Sequence, residues 1–177
     1  MKYLITFLLL TTVLFGQNLD SLTFSFINQY RIKNGKQPLS WSKDLYKTTV
    51  NHNNNMVIND SIYHSHGYNY SENVLYGTDC GLFGSKTYRD FIKKYFNLEY
   101  EDVQKNVDFF IATSVVHSWY LSSAHNRIML RPDKEGAVNV TYKDLKKKPN
   151  VIFGKVLFEG WGQFYYKLTL ASTFQIK

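Results

Sequence analysis

A single cysteine, Cys80, serves a chain of 177 residues, and one thiol cannot close an intramolecular disulfide. The fold must therefore be held by a packed core, and the composition supplies one: 44% of the residues are apolar and 17% aromatic, with 14 Tyr, 13 Phe and 3 Trp. That content is far above what a disordered or low-complexity polypeptide carries. Ten Gly and 3 Pro exclude collagen-like and Pro-rich linker architectures. The length suffices for one sizeable core and is short for two. Zinc ribbons, zinc fingers and cysteine-coordinated deaminase centres are excluded by the same cysteine count. Lys and Arg number 21 against 14 Asp and Glu, a net charge of +7. Such a surface can meet acidic partners but is modest for a dedicated nucleic-acid binder, so no nucleic-acid partner is expected.

The stretch Leu4 to Phe15 is continuously apolar apart from threonines, follows Lys2 and precedes Gly16 and Gln17. It is too short to span a bilayer, so no membrane span is predicted. A positive start, an apolar middle and a small residue at the end form the pattern of a signal peptide. Residues 1–16 are read as that peptide and 17–177 as a single domain, secreted or periplasmic and expected to be monomeric. An exported domain of this size without disulfides fits a bacterial envelope better than a small eukaryotic secreted domain, which usually carries several bridges.

Leu19, Leu22, Phe26 and Tyr30 recur at helical spacing and predict an amphipathic helix over about Asp20 to Lys33, closed by Gly35 and Pro38. Ser42 is a candidate N-cap for a second helix with Leu45, Thr49, His52 and Met56 on one face, fading near Asn59. Residues 61–86, rich in Gly, Tyr, Asn and Ser, are expected as a long irregular connection of the kind that carries function. A short helix is predicted over Tyr88 to Phe96 and one long helix over Asp102 to about Ser122. From Gly136 the period becomes two through Val138, Val140 and Tyr142; Lys146 to Asn150 reads as a polar turn, and Val151 to Phe158 as a further strand. Tyr166, Leu168, Leu170, Phe174 and Ile176 share one face of a last strand. Helices gathered before strands joined by short turns imply an α+β fold, with helices packed on an antiparallel sheet.

Common catalytic signatures are absent: there is no Gly-x-Ser-x-Gly elbow, phosphate-cradling glycine loop, dinucleotide fingerprint or His-Glu-x-x-His. The polar residues that remain as candidates are His64, Ser65, His66, Glu72, Asn73, Trp119, Ser122 and His125. Phe26 to Leu45 (FINQYRIKNGKQPLSWSKDL), Asn51-His52 with Met56, HSH at 64–66, SEN at 71–73 and VVHSWYLSSAHNRIML at 115–130 follow one another in order. In this order the sequence resembles the CAP superfamily of cysteine-rich secretory proteins, antigen 5 and pathogenesis-related proteins, in the style of its disulfide-free bacterial branch, over about residues 22–174.

The resemblance implies a three-layer α-β-α sandwich with a central antiparallel sheet, and a cleft lined by two histidines and one or two glutamates. By position these are His64, Glu72 and His125. Ser122 stands where many eukaryotic members have the second glutamate, which removes the obvious general base of a carboxylate-pair mechanism. His66 is the rival of His64, on the opposite side of an extended loop. Glu72 is either a ligand or a structural carboxylate that fixes the loop through backbone N–H groups. His52 reads as a helix-face core or boundary residue, His117 as a solvated one and Trp119 as core.

Two imidazoles and a carboxylate suit Zn(II) or another divalent metal, with a coordination position left open. The expected function is a secreted, non-enzymatic binding module that takes a small ligand, lipid or peptide, with or without that metal on His64, His125 and Glu72, and with Ser122 also lining the site. A metal-dependent hydrolase is the alternative, and a purely adhesive extracellular protein a third class.

Overall fold

Leu22, Phe26, Ile27 and Tyr30 are buried along one side of α1 (Leu19–Lys33), as the helical spacing requires. The helix ends at Gly35, whose φ of +71° is the left-handed conformation that a residue without Cβ adopts at no steric cost. Arg31, in the last turn, is 1% exposed. Its guanidinium donates to the carbonyls of Gln37, Met129, Arg131 and Asp133, so a buried cation is satisfied by backbone dipoles.

The computed structural model describes residues 19–65, 70–77, 85–144 and 168–177. The signal peptide expected at 1–16, His66, Cys80, and the turn and strand expected over Lys146 to Asn150 and Val151 to Phe158 lie outside the described residues. After α1 come β1 (Ser40–Trp41), α2 (Lys43–Ile58), β2 (Ser71–Gly77), α3 (Lys86–Phe96), α4 (Tyr100–Lys105), α5 (Val107–Leu121), α6 (Ser123–Met129), β3 (Glu135–Asp144) and β4 (Leu168–Ile176). The α+β reading is met. Among the described residues no helix is long and apolar enough to cross a membrane.

Three expectations are corrected. The sheet, in the order β1-β3-β4-β2, is mixed and not purely antiparallel. β4 runs antiparallel to both neighbours, while β1 pairs parallel with β3 through Ser40 and Glu135. The helical half of the chain lies between β1 and β3 and provides the long crossover that parallel pairing demands. The stretch expected to be irregular, residues 61–86, contains β2, paired residue by residue with β4 from Ser71↔Ile176 to Gly77↔Leu170. The single long helix is divided at Asn106, whose side chain accepts from the N–H groups of Asp108 and Phe109. An Asx side chain that satisfies the first free amides of a helix starts a new one.

The two faces of the sheet are covered differently. Val138, Val140, Phe174 and Ile176 join the apolar core with residues of α1, α3 and α5. Trp119 is fully buried there, at 5.8 Å from the Phe174 ring. Asn139 and Thr141 alternate to the other face, where Asn53 of α2 donates to Asn139 Oδ1 at 2.8 Å and Thr141 Oγ1 at 2.9 Å. Glu72 and Gln175 are cross-strand partners, and Gln175 is also opposite Ala137, which puts all three in one row on the α2 side.

Candidate functional site

Glu72 is 7% exposed, and its position on β2 sets everything near it. Oε1 accepts from the Ser65 N–H at 2.8 Å and from His64 Nδ1 at 3.2 Å. Oε2 accepts from Gln175 Nε2 at 2.7 Å and from the Ser65 hydroxyl. An ionised carboxylate offers about four acceptor positions, so these four donors fill it. The backbone bond from Ser65 is the loop-fixing role anticipated as the structural alternative for Glu72. His52 lies beneath, 5% exposed, with Nε2 at 2.8 Å from the Tyr63 carbonyl and 3.7 Å from Glu72 Oε1. As a carbonyl can only accept, His52 Nε2 carries the proton. The Ser65 hydroxyl, having donated to Glu72, accepts from Tyr70 at 2.8 Å.

The same logic fixes the tautomer of His64. Facing a carboxylate, Nδ1 is the protonated nitrogen, and Nε2 is left with its lone pair. The His64 side chain is 59% exposed against 5% for Glu72, so the buried acid holds one edge of a ring whose other edge meets solvent. A carboxylate bonded to one imidazole nitrogen is the usual support of a histidine that ligates through the other.

His125 sits in α6, which begins at the Ser122 N-cap. The Ser122 hydroxyl accepts from the His125 N–H at 3.5 Å, so it serves the helix start. Two further bonds hold this turn: Asn73 Nδ2 donates to the His125 carbonyl at 2.9 Å, and the Tyr30 hydroxyl to Asn126 Oδ1 at 2.8 Å. Burial lowers the pKa of His125 below the ordinary histidine value, and the nearness of His64 lowers it further. Both causes favour the neutral, lone-pair-bearing form of the His125 ring.

His64, bonded to Glu72, and His125, whose carbonyl is bonded by Asn73, are therefore both tied to β2 at the edge of the described sheet. Among the described residues no set of three or more His, Cys, Asp and Glu side chains is arranged to hold a metal ion. Glu72 supports His64, and the open nitrogen donors are imidazoles. Sequence reasoning missed Gln175 of β4, which reaches Glu72, and Thr48 of α2, which reaches Gln175, and it did not place His52 or Tyr70 at the site. The signal for Gln175 is the β2/β4 register, which needs β2 to be recognised first. His117, read as solvated, is 1% exposed and corrected to a core position: it packs on Tyr88, Phe91 and Tyr120 with ring centroids 5.3, 4.9 and 6.0 Å away.

The family model described as CAP, cysteine-rich secretory protein family, matches residues 24–136. Neither a curated protein nor a solved structure matches the chain.

Proposed function

The chain belongs to the cysteine-rich secretory protein (CAP) family, and from that premise we propose a secreted, non-enzymatic binding module. Its cleft opens between His64 and His125 and takes a small ligand, lipid or peptide together with a divalent transition metal. In this reading α2 on one side and the α1, α3 and α5 group on the other are the outer layers of an α-β-α sandwich, and residues 1–16 direct export. The observation that carries it is the bond from His64 Nδ1 to the buried Glu72 carboxylate, which prepares Nε2 as a donor.

The donor set fits a metal held by two imidazoles, with Glu72 as the carboxylate that orients one of them and with solvent or ligand atoms completing the shell. Bound there, Zn(II) would supply a Lewis-acidic position for an oxygen or nitrogen of the ligand. Binding is favoured over hydrolysis because Glu72, the carboxylate beside His64, has its acceptor positions filled and is poorly placed to take a proton from water.

Calorimetric zinc titration tests this reading. His64→Ala and His125→Ala should weaken binding strongly and leave the fold intact, His66→Ala should leave affinity unchanged, and Glu72→Gln should weaken it less than loss of either imidazole. Wild-type protein that binds zinc no better than His125→Ala would remove the metal from the proposal. The intact mass of protein recovered from the medium or periplasm tests export, with the mature chain expected to begin near Gln17.

A further inference from the structure

Gln175 is completely buried and spans the space between α2 and β2. Its amide is oriented by chemistry on both sides. Nε2 lies 2.7 Å from Glu72 Oε2 and 3.4 Å from Ser65 Oγ. An amide oxygen at the first of these positions would face a carboxylate oxygen with no proton between them, so the NH2 group must point there. Oε1 then faces α2, where the Thr48 hydroxyl donates to it. Thr48 also stands 2.8 Å from the Leu45 carbonyl of its own helix. A hydroxyl has one proton, and only donation to Gln175 matches the amide orientation that Glu72 imposes.

The geometry points to Gln175 as a positioning residue of the site. Thr48 orients its amide, the amide holds Glu72, and Glu72 keeps His64 in the Nδ1–H tautomer that presents Nε2. The relay crosses from helix to strand to strand to loop, and cross-strand pairing of Gln175 with Glu72 sets its reach. A hydrophobic residue at 175 would leave a buried carboxylate oxygen short of a donor, and Glu72 would turn toward whatever donor remained. This inference rests on the metal-assisted binding reading for its consequence, but its structural content concerns the metal-free protein.

The decisive measurement is the 15N chemical shifts of the His64 ring in metal-free protein at pH 7.5, compared among wild type, Gln175→Leu, Thr48→Val and Thr48→Ser. Zinc titrations accompany them, and circular dichroism verifies folding. Wild type and Thr48→Ser should show His64 as one Nδ1–H tautomer. Gln175→Leu should show a mixture and bind zinc roughly 10- to 100-fold more weakly, the usual range for losing an outer-shell partner. Thr48→Val should move in the same direction by less. Thr48 is on an exposed position of α2, so this variant decides the matter if Gln175→Leu does not fold. An unchanged His64 tautomer in folded Gln175→Leu, or in Thr48→Val when the former is unfolded, overturns the assignment. A shifted tautomer in a protein that binds no zinc upholds the positioning role and refutes the metal reading.

Discussion

Asn73 donates its side-chain amide to the carbonyl of His125 at 2.9 Å, so β2 holds both histidines of the site, His64 by a side chain and His125 by its backbone. Glu72 and Asn73 are neighbours, and alternation along the strand sends them to opposite faces. Two adjacent polar residues can thereby serve two separate segments. Replacing Asn73 by Ala should cost about 1 kcal/mol, the usual net worth of a part-buried hydrogen bond. Asn73→Asp at neutral pH should cost at least as much, because an acceptor then faces a carbonyl. Urea unfolding measures both, and a variant as stable as wild type would show that α6 is held without the Asn73 bond.

Division of the helical segment at Asn106 is assigned to its side chain, which accepts from two free amides of α5. Asn106→Ala should lower stability by about 1 kcal/mol, while Asn106→Asp or Ser should keep most of it. If thermal unfolding finds the three variants equal, the break follows from packing of α4 and not from the cap.

His117 is a neutral base in an aromatic environment, and burial pushes its pKa down to about 4. Its Nε2 has no hydrogen-bond partner among the described residues. The unfolded chain takes up this proton near the ordinary histidine value, about 6.5. Above that pH both states are neutral and stability is unaffected; as pH falls from about 6.5 toward 4, the unfolded state alone is protonated and stability is lost, by about 3 kcal/mol at the end of the window. His117→Phe should remove most of this dependence, since a ring of similar breadth has no proton to gain. Denaturant unfolding of both proteins at pH 7.5 and 4.5 is the check, and parallel losses in the two would refute the assignment.

His125 is depressed in the same sense, by burial first and by His64 second. In metal-free protein its NMR titration midpoint should therefore lie below about 6.5. Zinc held as proposed needs neutral rings, so its affinity should fall on acidification. A His125 midpoint at or above the ordinary value would mean that the ring is more solvated, or farther from His64, than the structure has it.

Legibility in the sequence followed the kind of force involved. α1, α3, β3 and β4 were readable because each sets apolar residues at a regular period, and α2 because Leu45, Thr49, His52 and Met56 keep helical spacing; burial of Tyr30, Met56, Phe91, Val138 and Phe174 follows those periods. β2 was not readable: Ser71, Glu72 and Asn73 begin it, and the last two are buried because distant partners satisfy them, not because they are apolar. His117 misled for the related reason that a polar residue type was assigned to water. His64, Glu72 and His125 stand out by motif order, whereas Gln175 lies 103 positions from Glu72 and has no local signature. Ser122 was expected to line the site, and the structure gives its hydroxyl to the start of α6.

β4 lies between β3 and β2 in space and follows both of them in the chain. A polypeptide emerging amino end first thus has His64, Glu72 and His125 in place in sequence while β2 is still without the strand that joins it to β3. Closure of the sheet waits on contacts among the most distant in sequence, which are the slow ones to form. The last strand acts as a fastener. Until it is inserted the carboxylate under His64 lacks Gln175, so the site can form only after the chain has been made through β4.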